Sequence, residues 1–188
     1  IEPISHALNF LSSHFSNIFF NNDQLLLNSL LERMGEILSY KKNGIRIFKS
    51  VCALLMMIKN EEKKVEAFHD LSNAVLEYLN SEEKLMTGLN CLSVQPPNSP
   101  LFQFVIEELH SIYPNIFTED FANSDIADQL FMALSKAFIS LPFDSTKEFF
   151  LELLGDLFQK PCFACQTFSL IEIVRRSFSE VEELFPDL

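Results

Sequence analysis

Apolar side chains return at alternating steps of three and four along nearly the whole chain, a period that fits α-helices and not strands. Ile4, Leu8, Leu11, Phe15 and Ile18 form one stripe, with Ser5, Asn9, Ser12, Ser13 and Ser16 on the other side. Leu27, Leu30, Leu31, Met34 and Leu38 form a second, which ends near Lys41-Lys42-Asn43-Gly44. The segment from 45 to 58 is apolar on almost every side, which predicts a helix surrounded by others. Phe68, Leu71, Val75 and Leu79 follow, with Asn60 as the expected N-cap, and Ser81 is expected to cap a helix through Leu85, Leu89 and Leu92.

Gln95-Pro96-Pro97-Asn98-Ser99-Pro100 is the one clear interruption, because its prolines cannot continue a helix. Beyond it, Phe102, Val105, Leu109 and Ile112 predict a helix that stops before Pro114. Ser124 is placed to cap a helix that closes at Pro142, and Ser145 with Glu148 reads as a capping box for the next. The last stripe is Phe168, Ile171, Val174, Phe178, Val181 and Phe185.

Only 4 glycines stand among 188 residues, too few for the tight turns of a β-protein or for phosphate-cradling loops. The reading is therefore an all-α fold of about nine antiparallel helices. Helix starts recur about every 20 residues and helix pairs about every 40, a spacing shared by HEAT- or armadillo-like helical hairpins and by a compact multi-helix bundle. A single helical domain over residues 1–188 is expected, with a proline-rich linker at 95–100 separating the helices of 1–94 from those of 101–188. A chain that opens on Ile1 reads as a segment of a longer, plausibly eukaryotic, protein.

The formal charge of -12 is unevenly spread. Six basic against four acidic residues make the first 60 positions net positive, whereas both later thirds are strongly acidic. An acidic chain repels a phosphate backbone, so direct nucleic-acid binding is disfavoured. The longest apolar run, residues 51 to 58, is far short of a membrane span, and no membrane association is expected. Four cysteines, Cys52, Cys91, Cys162 and Cys165, do not make a disulfide framework, which favours an intracellular location, nuclear or cytoplasmic.

Motifs for chemistry are sparse. Cys162-Phe163-Ala164-Cys165 brings two thiols within three residues, yet a zinc ion needs about four ligands and no second pair accompanies them. Glu107 and His110 have the spacing used by helical di-iron sites, without the second copy such sites require. No nucleophile elbow and no glycine-rich loop is present. No catalytic, cofactor or metal site is expected.

The remaining signals concern binding. Phe19-Phe20 and Phe149-Phe150 are adjacent pairs, of which one member is expected to face a second surface, and Phe163 lies between the paired cysteines. Lys41, Lys42, Arg46 and Lys49 form the one local basic cluster, which fits either a docking site for an acidic segment or cations complementing a helix C-terminus. These nine residues are the expected contacts of a scaffold or adaptor that holds a partner helix or peptide in an apolar groove within a multiprotein complex. A subunit of a genome-maintenance complex, a metal or redox protein built on Cys162 and Cys165, and a homo-oligomer are the other readings.

Overall fold

The computed structural model describes residues 28, 30–40, 42–96 and 98–178. The expected first helix, Phe19, Phe20, Lys41 and the end of the last stripe lie outside them. Among the described residues the fold is all-α: α1 (Met34–Leu38), α2 (Lys42–Met56), α3 (Glu61–Leu79), α4 (Leu85–Ser93), α5 (Phe102–Ile116), α6 (Asp125–Ser140), α7 (Phe143–Phe158) and α8 (Ala164–Ser177). Short 3-10 turns at Glu119–Phe121 and Pro161–Phe163 complete it. No described helix is long and apolar enough to cross a membrane.

Two compact units divide the chain, Ile1–Gln95 with Ser99–Val105, and Pro96–Asn98 with Ile106–Leu188. In the first, α1, α2 and α3 each pack against the other two, and α4 packs against α2 and α3. Met34, Leu38, Phe48, Val51, Leu55, Phe68, Leu71, Val75 and Leu89 fill its core. Gly44 is required there, since a Cβ would clash with the carbonyl oxygen of Ile37 and stand 2.9 Å from Leu38 Cα. In the second unit α6, α7 and α8 pack mutually around Leu130, Leu134, Phe138, Phe150, Leu153, Leu170 and Val174.

Several helix boundaries follow the expected side-chain chemistry. Asn60 Oδ1 accepts from Lys63 N at 2.9 Å, and Ser124 Oγ accepts from Ala127 N at 3.2 Å. Others do not. Ser145 is no cap, because α7 already begins at Phe143 behind Pro142, and its hydroxyl donates back to the Pro142 carbonyl at 2.6 Å. Ser81 is likewise displaced by a turn that delays α4 to Leu85. Pro114 does not stop α5 but lies in its last turn. There it costs the helix only one N–H near its end, and Phe117 N still bonds Tyr113 O at 2.9 Å.

The proline-rich segment is pinned at both ends. Gln95 is buried and donates from Nε2 to Cys52 Sγ at 3.2 Å and to the Cys91 carbonyl at 3.1 Å. Ser99, equally buried, donates to Gln95 Oε1 at 3.2 Å. These bonds form a buried polar network within the first unit. Asn98 takes a φ of 66°, a left-handed conformation that asparagine tolerates better than most residues.

Candidate functional site

The described members of the basic cluster lie within α2. Lys42, Arg46 and Lys49 fall at i, i+4 and i+7, on one face, and all three are exposed. The opposite face buries Ile47, Phe48, Val51, Cys52, Leu54 and Leu55, which fixes the row outward. So the expectation that this segment is enclosed on all sides does not hold for its outer face.

The row lies away from the C-terminus of α2. Lys42 is the first residue of α2, at the positive end of the helix dipole, and α2 has no acidic residue in its first turn. Nor has it one anywhere, reading KNGIRIFKSVCALLM throughout. Glu61 and Glu62 stand in the first turn of α3, Asp125 and Asp128 in that of α6, and Asp144 in that of α7, whereas α4, α5 and α8 carry no acidic residue there.

A cleft of about 790 Å³ opens between α1, α3 and the start of α4. Among the described residues, Glu32, Glu36, Asp70 and Glu77 bring four carboxylates to it, against one ammonium from Lys84. Lys84 Nζ lies 2.7 Å from Glu77 Oε1 and 4.9 Å from the centroid of the Tyr78 ring. The hydrogen bond to Glu77 holds the Lys84 ammonium above its ordinary value. The Tyr78 hydroxyl donates to the Gly35 carbonyl at 2.8 Å and ties α3 to α1 at the cleft, while burial pushes that phenol up. No residue of α2 lines the cleft, so the basic row and the acidic cleft are separate surfaces of one unit.

In the second unit a polar strip joins α5 to α7. His110 Nε2 lies 3.0 Å from Glu152 Oε2, and Tyr113 donates to Asp156 Oδ2 at 2.9 Å. The His110 ring stacks on Phe149 with centroids 4.2 Å apart. Burial first, and then the bond to Asp156, raise the Tyr113 phenol well above its ordinary value. Glu107 is exposed and does not join His110 in a ligand set; among the described residues no group of three or more His, Cys, Asp or Glu side chains is placed to hold a metal ion.

The three described phenylalanines chosen from sequence are core residues, and this corrects the expectation that they face a partner. Phe149 is 7% exposed, Phe150 0% and Phe163 1%. Phe149 turns toward His110 and Tyr113 of α5, and Phe150 toward Phe138 and Phe143. The second surface that an adjacent pair demands is therefore supplied by the chain itself. Phe163 packs edge-on against Phe117 at 5.2 Å.

All four cysteines are free, in two different settings. Cys52 and Cys91 are buried in the first unit, where burial pushes the Cys52 thiol up to about 12 and the Cys91 thiol in the same direction. Cys162 and Cys165 are exposed. Arg175 and Arg176 of α8 both pair with Glu172, at 3.0 and 2.8 Å. Comparison of the chain with protein-family models, curated proteins and solved structures returns no match.

Proposed function

We propose that this chain is a non-catalytic interaction module, an adaptor or scaffold subunit of an intracellular multiprotein complex, whose α2 row docks an acidic helix or extended segment of a partner protein. The observation that carries the reading is the row itself: Lys42, Arg46 and Lys49 exposed along a helix without a carboxylate, in a chain of net charge -12. Lys42 at the N-terminal end of the helix does not stabilise it, being unfavourable by about 0.3–1 kcal/mol at low ionic strength. A sequence that keeps a locally unfavourable arrangement does so where binding gains from it. The acidic cleft between α1 and α3 gives the same unit a second surface of opposite sign, suited to a basic segment of another protein, and two such surfaces are what an adaptor needs.

Surface charges of this kind act mainly on encounter rate and partner choice. They weaken as the screening length falls from about 10 Å at 0.1 M salt to about 3 Å at 1 M. A fluorescently labelled glutamate-rich peptide is the simplest probe. Its affinity is expected to fall about tenfold or more when Lys42 and Lys49 are both changed to glutamate, and to weaken steadily with salt. Equal affinity of both proteins for the peptide would remove the row as the docking site. Preference for a nucleic-acid oligomer over the peptide would move the assignment from acidic protein to phosphate.

A further inference from the structure

The two exposed cysteines are not used by the interaction reading. Cys162 lies in the 3-10 turn Pro161–Phe163, and Cys165 in the first turn of α8. Phe163 between them is buried, and its carbonyl accepts from the Thr167 hydroxyl at 2.8 Å. The turn is thus anchored at its middle, with a thiol in solvent on either side of the anchor.

Cys162 and Cys165 stand three residues apart where the 3-10 turn runs into α8, with Phe163 at φ -103° and ψ 13° between them. Residues three apart have Cα atoms about 5 Å apart in an α-helix and about 6 Å apart in a 3-10 helix. Disulfides form at Cα separations of roughly 4.4–6.8 Å. The Cβ atoms of such a pair stand about 5–6 Å apart, beyond the roughly 3.5–4.5 Å of a relaxed disulfide, so closing the bond tightens the turn. Strained, exposed disulfides are the readily reduced ones. The pair is therefore suited to repeated opening and closing and not to permanent cross-linking.

We infer that Cys162 and Cys165 form a reversible dithiol–disulfide pair that exchanges with small-molecule disulfides of the glutathione class. One cysteine, as its thiolate, attacks a sulfur of the small disulfide; that S–S bond breaks, a mixed disulfide forms on the protein, and one small thiol leaves with the released proton. The second cysteine, as its thiolate, attacks the protein sulfur of the mixed disulfide and expels the second small thiol. Two protein thiols are oxidised to one disulfide, and one small disulfide is reduced to two thiols. Cys52 and Cys91 take no part, because both are buried and their thiols are held protonated.

The test equilibrates the folded chain with mixtures of reduced and oxidised glutathione, quenches with acid, alkylates free thiols and maps the products by peptide mass spectrometry. The wild-type chain is expected to carry the 162–165 disulfide and little bound glutathione. Cys162→Ser and Cys165→Ser, which lack the resolving thiol, are expected to retain glutathione on the remaining cysteine at about tenfold or more above wild type, since the intramolecular attack has an effective concentration in the millimolar range or higher. Wild-type protein that holds glutathione on both cysteines to the extent seen in the single variants would show two independent exposed thiols and overturn the inference. So would a wild-type chain that stays fully reduced across mixtures that glutathionylate the variants.

Discussion

Gly44 reads from the sequence as the close of one helix and Gly155 as a glycine inside another, yet both lie within helices, α2 and α7. Their surroundings differ completely. At Gly44 a methyl group would run into the backbone of α1, whereas at Gly155 it would meet nothing within 4 Å. Gly44→Ala is therefore expected to destabilise the chain by roughly 1–3 kcal/mol through overpacking. Gly155→Ala, on an exposed helical face, is expected to stabilise it by about 0.5–1 kcal/mol. Urea unfolding of the two variants checks both signs, and equal shifts would contradict the packing at α1 and α2. A similar contrast holds among the cysteines. Burial raises the Cys52 and Cys91 thiols, so their contribution to stability is complete below the ordinary thiol value of about 8.5 and is lost as pH climbs toward about 12. Folding stability should fall between pH 8.5 and pH 10.5, and less so in Cys52→Ala; a flat profile would contradict that burial. Which thiols are buried was legible from their apolar helical context. The buried Gln95 was not, because a polar residue beside two prolines reads as solvent-facing until the Cys52 and Cys91 groups that it bonds are brought near by the fold.

Helix existence was legible almost throughout, since it rests on apolar period, and the N-caps Asn60 and Ser124 were legible because each immediately precedes its stripe. Failures came where a proline decided the boundary instead: Pro142 starts α7 ahead of Ser145, and Pro114 is tolerated in the last turn of α5. The paired phenylalanines failed for another reason. Period alone shows that Phe149 and Phe150 point in different directions, but only packing shows that α5 and α6 lie in both. At α2 the sequence located the cations and left their role open; the helix boundaries place Lys42 at the first position and the others downstream. Lys42→Glu replaces an unfavourable charge at the helix start with a favourable one, and is expected to raise stability by about 0.3–1 kcal/mol at low salt. A lower unfolding midpoint in that variant would mean that the lysine is held by contacts of its own.

Taken whole, the chain separates its charge more than its composition suggests. The first unit presents a cationic helix face and an anionic cleft, and the second presents the exposed dithiol and the His110–Glu152 strip. The central claim is that the α2 row holds a partner protein. Its most direct test is affinity capture from cell extract with the wild-type chain and with the Lys42→Glu, Lys49→Glu double variant side by side, their helical content matched by circular dichroism. Stoichiometric partners that come down with the wild-type chain and are lost from an equally folded, equally or more stable variant are the result expected here. The same partners recovered in the same amounts with both chains would contradict it.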